Sequence, residues 1–209
     1  TGAKPVFVDI DPDYYTIDHT KIREKITKNT KAIIPVHLYG QMADINYINS
    51  ICEENNLFMI EDCAQSHFSE LNGVLAGKTG IASTFSFYPG KNLGAYGDAG
   101  CVITNDDKLA KKILMYSNHG ALKKHHHLIE GINSRLDGLQ AAILSVKLPL
   151  IRKWNKSRII LANKYNDNLN GIGDIEIPKV RKNSKHTFHL YVIKTSHRDK
   201  LKVFLEKNG

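Results

Sequence analysis

Residues 31–63, KAIIPVHLYGQMADINYINSICEENNLFMIEDC, decide the fold. The segment 31–38 has the short apolar pattern of a buried strand, and 57–63 repeats it. Between them, 45–55 reads as a helix. Working outward, further strands are expected at 5–10, 83–88 and 100–104, with a turn at 11–13. Helices are expected at 16–27, with Asp18 as N-cap, and at 106–115. Strands separated by helices of about ten to fifteen residues indicate an α/β architecture with a largely parallel sheet.

The second half changes character. Residues 136–169 form a long helical stretch with Leu139, Ile143, Val146 and Leu150 at helical spacing, and Pro149 is expected to kink or divide it. After a turn-rich stretch at 170–174, a strand at 189–194 and a helix at 199–207 read as the start of a smaller α+β unit. The expected division is residues 1–150 as part of a large domain and 151–209 as a connecting helix plus an incomplete small domain. Both ends read as cut.

Composition bounds the function. The chain has 209 residues, 42% hydrophobic and 24% charged, as in ordinary globular proteins. No apolar run reaches the roughly 18 residues a membrane helix needs, so no membrane partner is expected. No signal-peptide pattern opens the chain. Cys52, Cys63 and Cys101 lack metal-ligand spacing and suit reduced, packed thiols in the cytoplasm. The formal charge of +8 is spread along the chain without a nucleic-acid-binding signature, so an anionic small ligand is preferred over nucleic acid.

The chemistry centres on residues 84–100, TFSFYPGKNLGAYGDAG. Lys91 sits in a loop with Gly90, Gly94, Gly97 and Gly100, and such glycines allow a ligand to approach the backbone. By itself Lys91 could bind phosphate, form a Schiff base or be a solvated charge. The Walker spacing is absent. Upstream, the strand 57–63 delivers Asp62 to its carboxyl end, where ligands of open α/β sheets lie. A strand-end acid with a loop lysine suits an electron-sink cofactor: the acid keeps a ring nitrogen protonated and the lysine forms the imine.

The runs EDCAQSH (61–67), TFSFYPGKNLGAYGDAG (84–100), NHG (118–120) and GINSRLDGLQAAIL (131–144) resemble the DegT/DnrJ/EryC1/StrS sugar aminotransferases. So do GAKPVFVDID near the start, PVHLYGQMAD and HTFHLYVI near the end. The resemblance spans nearly the whole chain. It implies the large domain of a fold-type I transferase, with a mostly parallel sheet flanked by helices and the start of a smaller α+β domain. It also implies pyridoxal 5'-phosphate as cofactor, L-glutamate as amino donor and a nucleotide-linked keto-deoxysugar as acceptor. Lys91 corresponds to the Schiff-base lysine and Asp62 to the partner of the pyridine nitrogen. Gln65 corresponds to a residue beside the ring, and Ser86 to a phosphate-binding hydroxyl. Asn133 corresponds to an asparagine reaching the partner subunit's cofactor, which implies a homodimer with shared sites. The loop around Lys91 is similar to that of members acting on 3-keto rather than 4-keto sugars.

Several residues carry alternatives. Asp62 could cap a turn, and Asn133 could cap a helix. His37 either faces the pocket or hydrogen-bonds within the core. His127 and His186 match substrate-side positions of the family, as does His189, with one of the last two facing the sugar. Arg135 and Asp137 read as a local ion pair. The KKHHH run at 123–127 reads as an exposed basic loop, since no carboxylate or cysteine stands at ligand spacing, and no metal is expected. Three departures stand out: Phe68 follows His67 where the family usually has glycine, Ala99 replaces a glycine, and the upstream phosphate-receiving turn and ring-stacking segment are missing. These omissions imply a fragment with little activity of its own. A non-catalytic relative acting as a dimerisation module is the rival reading.

Overall fold

A computed structural model describes residues 1–209. Strand β1, Ala32–Ile33, leads through a 3-10 turn at Leu38–Gly40 to helix α1, Ile45–Glu54. Asp44 caps that helix by accepting from the Tyr47 N–H at 3.3 Å, and Ile45, Ile48, Ile51 and Cys52 form its buried stripe. Strand β2, Phe58–Asp62, follows, then a short hairpin of β3, Glu70–Leu71, and β4, Val74–Leu75. Strands β5, Ala82–Ser86, and β6, Gly100–Ile103, flank the lysine loop. The main sheet has the order β1-β2-β5-β6, parallel from β1 to β5 and antiparallel at β6.

Helix α2, Asp107–Ser117, is capped by Asp106 and precedes a hairpin of β7, Ala121–Lys123, and β8, His126–His127. Helices α3, Gly138–Lys147, and α4, Ile151–Leu169, are separated by a 3-10 turn at Leu148–Leu150 that contains Pro149, as expected of a residue lacking its N–H. Strand β9, Ser184–Lys185, pairs antiparallel with β3, and α5, Arg198–Asn208, ends the chain.

The core lies on one face of the main sheet. Ile22, Ile33, Ala43, Ile48, Ile51, Cys52 and Met59 form one cluster beneath α1, and Met42, Ile45, Cys63, Leu71 and Ala76 a second. Leu93, Ala95, Leu144 and Ile151 join the lysine loop to α3 and α4. Ile34, Val36 and Phe58, on alternate positions of their segments, remain exposed. No helix is long and apolar enough to cross a membrane.

Four local expectations are corrected. Residues 5–9 form no strand; only Ile10 bridges Ile17, and Val6 and Phe7 are exposed. Residues 16–27 form two 3-10 turns, His19–Lys21 and Arg23–Lys25, although Asp18 does cap the first. Their backbone bonds run from i to i+3, Ile22 N–H to His19 O and Ile26 N–H to Arg23 O, while Ile17, Ile22 and Ile26 still pack against the core. Residues 189–194 contribute only the Lys194 bridge to Glu176, because the preceding backbone bonds to loops instead: Thr187 N–H to Gly40 O and Leu190 N–H to Tyr39 O. The basic run at 123–127 is a hairpin rather than a loop. All three cysteines are free; Cys52 and Cys63 are packed, whereas Cys101 is exposed.

Candidate active site

The carboxyl ends of β2 and β5 stand side by side, with Asp62 opposite Thr84. Side chains alternate across a strand, so Glu61 and Ser83 share one face and Asp62, Thr84 and Ser86 share the other. Burial follows that division: Glu61 and Ser83 are 0% exposed, while the other three are half-buried. A rise of about 3.3 Å per residue and a strand spacing of about 4.8 Å set the Asp62 and Ser86 backbones about 8 Å apart.

Each side chain is anchored locally. Asp62 Oδ1 accepts from the Ala64 N–H at 3.0 Å, turning the chain at the strand end and leaving Oδ2 without a protein donor. Gln65 Oε1 accepts from the Tyr39 N–H at 2.7 Å. Ser86 Oγ accepts from the Tyr88 N–H at 3.3 Å, and the Lys91 N–H donates to Tyr88 O at 2.8 Å, closing the turn that carries the lysine. Lys91 is half-buried and its amine takes no hydrogen bond or ion pair.

Beneath this face, Glu61 gathers the N–H groups of Gly77, Thr79 and Gly80 at 2.8–2.9 Å and His37 Nε2 at 2.9 Å. Burial pushes its carboxyl up, but the bonds from His37, Gly80 and Gly77 outweigh it and hold it at about 2. His37 Nδ1 accepts from the Ala43 N–H at 3.2 Å, so Nε2 carries the proton donated to Glu61. Both ring nitrogens are therefore engaged in the core. Of the two readings open for His37, the structure has the hydrogen bond within the core, and the side chain does not face the pocket as a substrate residue would. Donor atoms of His37, Glu61 and Cys63 lie within 4.8 Å of one another, yet the imidazole and carboxylate already have protein partners.

His186 is also drawn inward. Its Nδ1 accepts from the Phe188 N–H at 2.9 Å, and its ring stacks on Phe188 at 3.9 Å between centroids. Burial lowers it to about 4. His189 Nδ1 donates to Asn92 Oδ1, in the residue after Lys91, at 3.2 Å; burial first, then the charges of Lys91 and Arg158, lower it to about 4. His67 is buried between Phe85 and Phe87 and is lowered to about 4 by burial, His189 and Lys91.

The model of the DegT/DnrJ/EryC1/StrS aminotransferase family matches residues 1–209. The chain belongs to this family. It is 49% identical to the pleiotropic regulatory protein of Geobacillus stearothermophilus, over 100% of this chain and 56% of that protein. It is 47% identical to the dTDP-3-amino-3,6-dideoxy-alpha-D-galactopyranose transaminase of Aneurinibacillus thermoaerophilus, over 100% and 57%. The fold matches the crystal structure of S. venezuelae DesV in complex with a ketimine intermediate, with a TM-score of 0.97 and 39% identity over 100% of this chain and 56% of that one. It also matches NtdA from Bacillus subtilis with bound cofactor PMP, with a TM-score of 0.85 and 37% identity over 95% and 46%. The architecture is thus fold-type I. The chain spans a little over half the length of the curated relatives it matches.

Against the pattern of the DegT/DnrJ/EryC1/StrS family, Phe68 acquires a physical meaning. Its φ is +61°, in the left-handed region that favours glycine and costs another residue about 1–2 kcal/mol. Here the phenyl ring packs beside the cluster of Leu93 and Leu144 and lies 4.7 Å from the Arg152 guanidinium, offsetting the strain.

The remaining expected residues lie apart from the sheet ends. Asn133 is exposed, bridges Asn118 and accepts from Arg135 Nε at 3.1 Å. Arg135 bonds Asn133 and Asn118 rather than pairing with Asp137. His127 is exposed on β8; its Nδ1 donates to His119 O at 2.7 Å, leaving Nε2 facing outward from the protein's bonds. Reading the sequence missed Asn92 and Asn155, buried amides 2.9 Å apart behind Lys91. Asn92 carries a signal, since it follows the lysine inside the longest matching run. Asn155 carries none.

Proposed function

We propose that the intact protein is a pyridoxal 5'-phosphate-dependent aminotransferase that moves an amino group from L-glutamate to a nucleotide-linked keto-deoxysugar, with the ketone at carbon 3. The observation that carries this reading is the shared open face of Asp62 and Ser86 below a loop that presents Lys91 with an uncommitted amine. A group needing covalent attachment, a carboxylate partner and a hydroxyl to hydrogen-bond its phosphate fits those residues. The A. thermoaerophilus relative, named for a 3-amino sugar, supports carbon 3.

When bound, the cofactor supplies an electron sink for charge developing on the substrate carbon. Lys91 Nζ would hold it covalently and, when free, would take up and return a proton at the substrate carbon. Asp62 Oδ2, free of protein donors, would keep a ring nitrogen protonated, Ser86 Oγ would donate to a phosphate and Gln65 would stand beside the ring. His67 and His189, held uncharged at neutral pH, add no positive charge beside Lys91. His127 faces the sugar from its hairpin, and Asn133 reaches the cofactor of a second subunit. Exposed Leu139 and Val146 on α3, at 71% and 73%, support such a homodimer. In this reading residues 1–150 belong to the cofactor-binding domain and 151–209 begin the smaller one.

The test offers glutamate and both 3-keto and 4-keto nucleotide sugars to the intact protein and locates the new amine by NMR. Borohydride reduction followed by peptide mapping identifies the modified lysine. Amination at carbon 3, lost in Lys91→Ala, is expected. Amination at carbon 4 alone refutes the regiochemistry. No amination of either sugar, with no cofactor trapped on Lys91, refutes the enzyme and favours a regulatory role like that in the G. stearothermophilus protein's name.

A further inference from the structure

The Lys91 loop has little holding it from within. Between β5 and β6 its internal backbone bonds are Phe87 N–H to Ala99 O, Lys91 N–H to Tyr88 O and Ala95 N–H to Phe87 O. It is nevertheless tightly folded: a Cβ on Gly94 would stand 2.3 Å from Pro89 O. The missing restraint comes from α3 and α4.

Asn92, the residue after the lysine, is buried and fully engaged. Its Nδ2 donates to Asn155 Oδ1 at 2.9 Å and to Thr187 O at 3.2 Å, and its Oδ1 accepts from His189 Nδ1 at 3.2 Å. Asn155, on α4 and 2% exposed, donates its own Nδ2 to His67 O at 2.9 Å. One amide therefore bridges the segment that leaves Asp62 and the loop that bears Lys91. Further along the loop, Gln140 Oε1 of α3 accepts from the Tyr96 N–H at 2.8 Å. Lys147 Nζ donates to Gly94 O at 2.5 Å and lies 4.8 Å from the Tyr96 ring centre.

We propose that Asn155, with Gln140 and Lys147, is a positioning residue that sets Lys91 relative to Asp62 from outside the site. A leucine would serve α4 better by helix propensity and burial, so the asparagine is explained by its two bonds. Catalytic geometry has to be held within about 0.5 Å, and side chains locked by buried bonds provide that precision. The proposal rests on Lys91 being the attachment residue.

The test compares Asn155→Leu with the parent in the intact, cofactor-free protein by amide hydrogen exchange. Peptides covering residues 88–97 should exchange about tenfold faster, while those of α1 stay unchanged. With cofactor and substrates, kcat should fall about tenfold and the sugar KM stay within about twofold. Gln140→Leu, on another helix and part-exposed, should loosen the Tyr96 end alone; if Asn155→Leu does not fold, this variant decides by the same readouts. Unchanged exchange at 88–97, or faster exchange with unchanged kcat, overturns the proposal. Full turnover by Lys91→Ala would instead overturn the lysine assignment while leaving the exchange result standing.

Discussion

Replacing Glu61 with glutamine is expected to destabilise the protein by about 4 kcal/mol, because two buried N–H donors lose their acceptor at about 1–3 kcal/mol each. Oε1 serves Thr79 and Gly80, while Oε2 serves Gly77 and His37. A glutamine supplies one oxygen and one NH2 group. Whichever way it is placed, the NH2 faces two donors; the tautomer set by Ala43 prevents His37 Nε2 from accepting. Urea unfolding of the intact protein followed by circular dichroism measures the loss as a shift in midpoint at constant slope. Acid supplies an internal control. The folded carboxyl lies at about 2, below its ordinary value of 4.5. Its stabilisation is therefore complete above pH 4.5 and fades as the pH falls towards 2. The gap between parent and variant should narrow over that same interval. A gap below about 1 kcal/mol at pH 7, where one lost bond alone would exceed it, would refute the reasoning.

Asp62→Asn should lower kcat by about 100-fold or more, since the ring nitrogen loses its charged partner; activity within a few-fold of the parent would show another partner. Gly94→Ala forces a Cβ against Pro89 O and should destabilise by about 1–3 kcal/mol, read by thermal unfolding, with less cofactor trapped on Lys91. Phe68→Gly should be more stable than Phe68→Ala by about 1–2 kcal/mol, because both lose the ring but only glycine relieves the left-handed backbone. His67 and His186 fall from 6.5 to about 4, so neither penalises the fold at neutral pH, but each costs it about 3 kcal/mol of stability as the pH falls from 6.5 to 4 and only the unfolded chain takes up the proton. His67→Phe should flatten that slope in pH-dependent urea unfolding, and an unchanged slope would remove His67 from the account.

Local pattern and long-range pairing differ in how far residues alone reveal them. Ile45, Ile48 and Ile51 announce α1, and Pro149 announces the break between α3 and α4. Val6, Phe7 and Leu190 share the apolar composition of strands, yet composition says nothing about a partner's backbone, and none pairs there. Asp62, Ser86 and Lys91 stand in recognisable runs, and the register of Asp62 on Thr84 then shows why the first two share a face. His37 was ambiguous because its role turns on which nitrogen receives the Ala43 N–H, a matter of ångströms. Asn92 and Asn155 are 63 positions apart in the chain, and a polar residue on a helix carries no mark of the buried partner it meets.

The exposed turn at 170–174 separates two pieces that the fold stitches together. Beyond it, β9 lies on β3, Arg181 N–H reaches Gln41 at 2.7 Å, Thr187 N–H reaches Gly40 at 2.9 Å and Lys185 meets Glu70 at 3.0 Å. A protease nick at Gly171 or Gly173 would therefore cut the covalent chain without releasing its tail. The halves should co-elute under native conditions and part only in denaturant. Co-expressed as separate polypeptides, residues up to 170 and from 175 onward should find each other and complement, making this turn the place to split the protein or insert a reporter.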